Sequence, residues 1–327
     1  MRNRILIVAV LVILALTAVA LQMRSSERID ELASRELLSP EQQQQLAGLE
    51  RITLSKGESS VELALLDGNW GVLSHAGFPV QKERLAALLH ALRGARVIEE
   101  KTSNPDHHAR LGLATDDATH PPLQVQLHAA GEDFGVIYGN RVGNGQLVRF
   151  VGSDQVLLIN RPFGMSVNPQ DWLSLQVVDM PLTLVSRARW QHADGETLEL
   201  SKAAEGEYNL QLEGADVEQG GNERQINSMV LALVNLRAQN VALREELALP
   251  EPMLQMQVDT WAGSELQASL YNLEGRYWLL IDSYTAAEAD SELQVNADSR
   301  WAYQVGVADM ENLTRRRQDL LRSGESD

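Results

Sequence analysis

The densest group of side chains able to do chemistry is Asp106-His107-His108. Two imidazoles and a carboxylate can begin a metal site, but adjacent loop residues rarely converge on one ion, and no further ligand stands at a metal-binding spacing. The run follows Asn104-Pro105, so a loop is expected there and no metal is assigned. His75, His90, His120, His128 and His192 are scattered, which suits solvated or capping roles. Gly139-Asn140-Arg141-Val142-Gly143-Asn144-Gly145 has the glycine content of a phosphate cradle. Such a loop would need Lys followed by Ser or Thr at the start of a helix, whereas strands are expected on both sides here, so a hairpin turn is the reading. Gly164-Met165-Ser166 lacks the second glycine of a nucleophile elbow, and no Ser/Lys or Ser/His pair stands at a diagnostic spacing.

Paired carboxylates occur at Glu99-Glu100 and Glu245-Glu246. Each pair follows an expected strand, and adjacent strand residues point to opposite faces, so solvated edge charges are expected. Arg315-Arg316-Arg317 suits the negative end of a terminal helix, a phosphate or an acidic partner being the alternative. Trp70, Trp172, Trp190, Trp261, Trp278 and Trp301 lie mostly in or beside expected strands, which favours packing over a ligand platform. No catalytic, cofactor-binding or metal residue is assigned, no cofactor is expected, and the chain is read as a non-enzyme.

These side chains must be positioned by a chain of 327 residues, enough for two ordinary domains. A hydrophobic content of 44% and a charged content of 22% are those of a folded body. Beyond residue 23 there are 26 basic and 45 acidic residues, a formal charge of −19, which repels phosphates and argues against nucleic-acid binding. The absence of cysteine excludes disulfides, thiolate ligands, cysteine nucleophiles and a lipidated cysteine.

Residues 5–23 carry no charge and would span about 28 Å as a helix, against a hydrocarbon core of roughly 30 Å. They are expected as a transmembrane anchor behind a short cytoplasmic stub, with the body in the periplasm of a bacterial inner-membrane, single-pass protein. The alternative is a signal peptide cleaved between Ala20 and Leu21, since Ala18-Val19-Ala20 is a small-x-small site. Residues 24–50 are expected as a helical stalk, the later part opening on Ser39-Pro40-Glu41-Gln42, a capping-box pattern.

Strands are expected near residues 52–56, 61–65 and 70–73, the last two joined at Asp67-Gly68. Leu85, Leu88, Leu89 and Leu92 have the spacing of one helix face, closed by Gly94. This order recurs. Leu85 to Val97 aligns without a gap on Met229 to Val241, and Leu123-Gln124-Val125-Gln126-Leu127 on Leu254-Gln255-Met256-Gln257-Val258. The expected fold class is therefore α+β: an N-terminal transmembrane helix, then two tandem repeats over 51–180 and 181–327, each a mostly antiparallel sheet packed on one main helix. A terminal helix over 309–322 is expected as counterpart of a short one near residue 168. One continuous domain with incidental similarity is the alternative.

Behind the anchor and stalk, the segments DGNWGV (residues 67–72), FPVQKERLAALLHAL (78–92) and LGL (111–113) recur in weaker form in the second copy. With them the chain resembles a bacterial family of uncharacterised membrane-anchored domains often encoded beside gliding-motility-type ABC transporters. In the second copy Tyr208 stands at the Trp position and Ala248-Leu249 at the Gly-Leu step. The resemblance implies a non-enzymatic auxiliary subunit, a periplasmic scaffold or binding module at the inner membrane. Its expected partners are ABC transporter membrane subunits or another envelope protein. The alternatives are a stand-alone envelope protein binding glycan, lipid or peptide in the inter-repeat cleft, and a hydrolase using scattered carboxylates.

Overall fold

The computed structural model describes residues 35–129, 132–215 and 221–321. The chain divides into two compact units, the break falling between Trp172 and Leu173. In unit 1 the strands are β1 (Arg35–Glu36), β2 (Leu49–Lys56), β3 (Ser59–Leu66), β4 (Asn69–Val72), β5 (Phe78–Pro79), β6 (Arg96–Glu100), β7 (Leu123–Ala129), β8 (Asp133–Val142), β9 (Gly145–Phe150) and β10 (Leu157–Ile159). They form one antiparallel sheet in the order β1-β6-β10-β9-β8-β7-β2-β3-β4-β5.

Strand alternation decides which side is buried. Ile52 pairs with Leu63 and Leu127, and Leu54 with Val61 and Val125, so these residues share one face and are sealed from solvent. The helix α1 (Pro40–Gln45) opens on a capping box: Ser39 Oγ accepts from the Gln42 N–H at 3.2 Å, and Gln42 Oε1 accepts from the Ser39 N–H at 2.9 Å. The main helix α2 (Lys82–Arg93) buries Leu85, Leu88 and Leu92, each worth about 2 kcal/mol of transfer free energy. Asp67 and Gly68, at φ 48° and 82°, make the turn between Leu66 and Asn69, the two-residue geometry that matches strand twist.

A second, smaller core covers the other face of the sheet over β8, β9 and β10. Ile137, Leu147, Val156 and Leu158 pack there with Leu113, which the crossover from β6 to β7 lays over the sheet. Gly112 turns that crossover at φ 68°, and Gly139 of β8 lets it approach: a Cβ on Gly139 would stand 2.5 Å from the Leu111 carbonyl oxygen.

Unit 2 comprises β11 (Val178–Asp179), β12 (Val185–His192), β13 (Thr197–Ser201), β14 (Gln211–Leu212), β15 (Asn240–Leu243), β16 (Leu254–Thr260), β17 (Glu265–Leu273), β18 (Arg276–Thr285), β19 (Gln294–Val295) and β20 (Trp301–Val305). β11 and β19 pair with each other, and the rest form a sheet in the order β14-β13-β12-β16-β17-β18-β20-β15. Read from its far end, this is the order β6-β10-β9-β8-β7-β2-β3-β4 of unit 1, strand for strand. The main helix α3 (Glu223–Val234) is capped by Asn222, whose Oδ1 accepts from the Gln225 N–H at 3.3 Å, and it buries Ile226, Met229, Val230 and Leu233. The helix α4 (Val307–Leu313) packs along it, and a short α5 (Arg317–Leu320) follows.

Counted from their caps Gln81 and Asn222, the two main helices superpose Leu85, Leu88 and Leu92 on Ile226, Met229 and Leu233. The gapless alignment on Met229 is thus out by three residues in the helix. It is correct at Val97 and Val241, which face Ile159 and Tyr303 in equivalent strand pairs. Three extra residues in unit 2 lie between helix and strand. A shift of nearly one helical turn keeps a leucine stripe in phase, which hides the insertion.

Several expectations are corrected. The fold is mostly antiparallel sheet, and no helix among the described residues is long and apolar enough to cross a membrane, so an architecture led by an N-terminal transmembrane helix is not supported. The expected anchor at 5–23 lies outside the described residues, as does the stalk as far as residue 34. Residues 35–38 are not helical: Arg35–Glu36 pairs with β6 and Leu37 and Leu38 are buried, whereas the helix opening on Ser39-Pro40 is present as α1 and a 3-10 turn that ends at Gly48. Burial of two adjacent leucines decides this, because an exposed helix would leave them in water. The terminal helix expected over 309–322 is broken at Thr314-Arg315-Arg316 into α4 and α5.

A candidate binding cleft in unit 1

Strand β8 departs from regular pairing between Tyr138 and Arg141, where its register with β9 shifts. The bulge frees the Gly139 carbonyl, which accepts from Gln146 Nε2 at 2.9 Å. The same side chain turns its Oε1 to the Phe163 N–H at 2.7 Å, so one buried glutamine ties the bulge to the segment after β10. Asn140 holds the other side: its Nδ2 donates to the Arg110 carbonyl at 3.1 Å, beneath the turn at Gly112. Between these tied segments opens a cleft of about 560 Å³, a size typical of small-molecule sites.

The floor is aromatic. Tyr138 and Phe163 stack with ring centroids 4.4 Å apart and planes 16° from parallel. The Tyr138 hydroxyl is buried without a partner among the described residues, and burial pushes its pKa well above the ordinary phenol value. Pro121, Leu123, Met165 and Val167 supply further apolar wall, and the basic side chains at the cleft are Lys56, His120 and Arg141. The His120 segment is fixed by Asp117, whose Oδ1 accepts from the Thr119 and His120 N–H groups at 2.9 and 3.0 Å. Those bonds, chiefly the one from His120, hold the Asp117 carboxyl below its usual range. The opposite lip is held by Ser166, which donates to Asp171 at 2.5 Å and accepts at its carbonyl from Trp172 Nε1 at 2.9 Å.

Chemically this is a place to hold a ligand. Lys56 and Arg141 make no ion pair among the described residues, and no carboxylate is among the residues lining the cleft. Unit 2 departs from this arrangement: by strand register Tyr271 stands where Gly139 stands, and it packs into a second-face core with Trp278 and Leu280.

The residues singled out in the sequence are placed as follows. His108 is buried, its Nε2 3.1 Å from the Asp154 carbonyl, and His107 Nδ1 lies 3.4 Å from the Thr102 hydroxyl. Among the described residues no three His, Asp or Glu side chains gather into a metal-holding group. Glu99 pairs with Lys101 at 2.5 Å and Glu100 with Arg35 at 2.8 Å, whereas Glu245-Glu246 belongs to a 3-10 turn and not to a strand end. Gly139-Asn140-Arg141-Val142 is strand, and only Gly143-Asn144 turns the chain. In the Gly164-Met165-Ser166 run, Gly164 and Met165 line the cleft and Ser166 bonds Asp171.

The arginine run is corrected in its role. Arg316 and Arg317 stand at the start of α5, the positive end of a helix, and are held by partners far upstream, whereas Arg315 follows the C-cap Thr314 of α4 and donates to Asn312 Oδ1. Arg316 Nη1 lies 2.8 Å from both Asp194 and Glu196, and Arg317 donates to the Glu213 and Gly214 carbonyls. Of the tryptophans, Trp172, Trp190, Trp278 and Trp301 are buried, and Trp261 is partly exposed. Sequence reading missed the cleft because Lys56, His120 and Arg141 are separated by long stretches of chain. The usable signal was Gly139 inside an otherwise regular strand, a mark of a bulge or close approach.

No curated protein sequence and no solved structure matches the chain. A family described as Domain of unknown function (DUF4340) matches residues 70–252, more than half of the chain. The match takes in the β8–β9 bulge and the Phe163 segment of the cleft, and continues through α3 and β15 of unit 2. The chain belongs to the DUF4340 family.

Proposed function

We propose that this protein is a non-enzymatic auxiliary component of a bacterial ABC transporter system, a periplasmic binding module whose ligand enters the unit 1 cleft. The observation that carries the binding role is that cleft: about 560 Å³, floored by stacked aromatic rings, with Lys56 and Arg141 in no ion pair among the described residues and no carboxylate among the described residues lining it. The transporter partnership is supported by the resemblance at residues 67–72, 78–92 and 111–113, of which Gly112 lines the cleft. Purification of the full chain from its native membranes in mild detergent tests the partnership. Transporter membrane subunits should co-purify.

A second reading is favoured by one feature, that every residue lining the cleft belongs to unit 1. In that reading the protein binds glycan, lipid or peptide by itself in the envelope. Recovery of the chain alone, with a ligand still bound, decides for it and against the transporter role.

A further inference from the structure

The cleft contrasts with the chain around it. Acidic residues outnumber basic ones 45 to 28, yet the cleft collects Lys56, His120 and Arg141. Two of its neutral hydrogen-bonding side chains are engaged within the protein: Gln146 is used at both ends, and the Asn140 amide donates to Arg110, which leaves the Thr119 and Tyr138 hydroxyls. The nearest carboxylate on the His120 segment, that of Asp117, is turned to backbone N–H groups. Against those two hydroxyls stand the basic side chains and a mostly apolar wall of Pro121, Leu123, Phe163, Met165 and Val167. A sugar, which needs paired donors and acceptors, finds few handles there.

Resting on the cleft as the ligand site, we infer that it takes an amphiphile with an anionic head. The head, a carboxylate or phosphate ester, sits among Lys56, His120 and Arg141, and the alkyl chain lies on Phe163, Met165 and Val167. Charge-assisted bonds hold the head and orient it. Burial of the chain against these apolar side chains supplies the rest.

Methyl NMR of methionine-labelled full-length protein provides a local readout, because Met165 lines the cleft. Its signal is assigned by Met165→Leu. Decyl phosphate and decanoate, below their micellar concentrations, should shift the Met165 methyl saturably. Decyltrimethylammonium, decyl glucoside and inorganic phosphate should not. Lys56→Gln with Arg141→Gln should weaken decyl phosphate binding at least tenfold while leaving the other methionine signals in place. If that variant misfolds, raising sodium chloride from 50 to 500 mM should weaken wild-type binding several-fold. Equal binding of decyl glucoside overturns the anionic head, and equal binding of inorganic phosphate overturns the tail, yet either leaves the cleft as a ligand site. No response of Met165 to any probe removes both.

Discussion

Gly139 is the position where the second-face core and the cleft depend on one missing atom. In Gly139→Ala the new Cβ would lie 2.5 Å from the Leu111 carbonyl oxygen and 2.7 Å from Leu113 Cγ. Relief of both contacts requires the crossover to retreat by roughly 1 Å, enough to forfeit a large part of the dispersion energy there. Leu113 is fully buried in that cluster, so the retreat also loosens its packing on Ile137 and Leu147. Overpacking of this kind costs about 1–3 kcal/mol, and a backbone oxygen cannot swing aside as a side chain can, which places the cost near the upper end. Loss of glycine's freedom in the unfolded chain returns about 0.4–1 kcal/mol. The net expectation is a destabilisation of about 2 kcal/mol. Urea denaturation of the full chain, followed by circular dichroism, measures it as a lowered midpoint. Gly48→Ala is the control, because a Cβ there meets nothing within 4 Å. If the two variants unfold within about 0.5 kcal/mol of each other, the close approach at Gly139 does not exist as described.

Three further outcomes follow from the same structure. Tyr138→Phe removes a buried hydroxyl with no partner among the described residues, so thermal stability should hold or rise by about 1 kcal/mol; a clear loss would reveal a partner for the oxygen. His192 is held below the ordinary imidazole value of 6.5, first by burial and then by Arg316, so on acidification the unfolded chain takes the proton first. Stability should therefore fall as pH drops below about 6.5, until the lower folded value is passed, and His192→Gln should flatten that slope in melts between pH 7 and 5. Leu88→Ala and Met229→Ala occupy equivalent, fully buried places in α2 and α3, and each should cost about 2–5 kcal/mol in chemical denaturation. A change under about 1 kcal/mol at either site would mean that the helix stripe is not core.

Much of the scaffold was legible because local rules governed it. The capping box at Ser39, the turn at Asp67-Gly68, the helix stripe at Leu85, Leu88 and Leu92, and the alternation at Leu123 to Leu127 need only near neighbours to be read. The duplicate of that last strand was found in its true register, Leu123–Ala129 answering Leu254–Thr260. Features decided by distant residues were not legible. The stalk was read as helix because nothing in residues 35–38 announces that β6 will pair with them. The arginine run was given to a helix C-terminus because its carboxylate partners lie more than a hundred residues upstream. The cleft depends on a bulge, a crossover and a buried glutamine meeting in space, and Gly139 was absorbed into a turn that begins only at Gly143.

The pairing of β1 with β6 has a practical corollary. A protein trimmed to begin at Leu49 would look tidy, yet it would strip the outer margin from the β6 side of the first sheet and empty the sites of Leu37 and Leu38. Bare margins with apolar neighbours are where separate molecules stick edge to edge. Ile98, already partly open to water on that strand, would then stand on an unguarded ribbon. Shortened versions that precipitate would be reporting a lost border, not a failure of the body to fold.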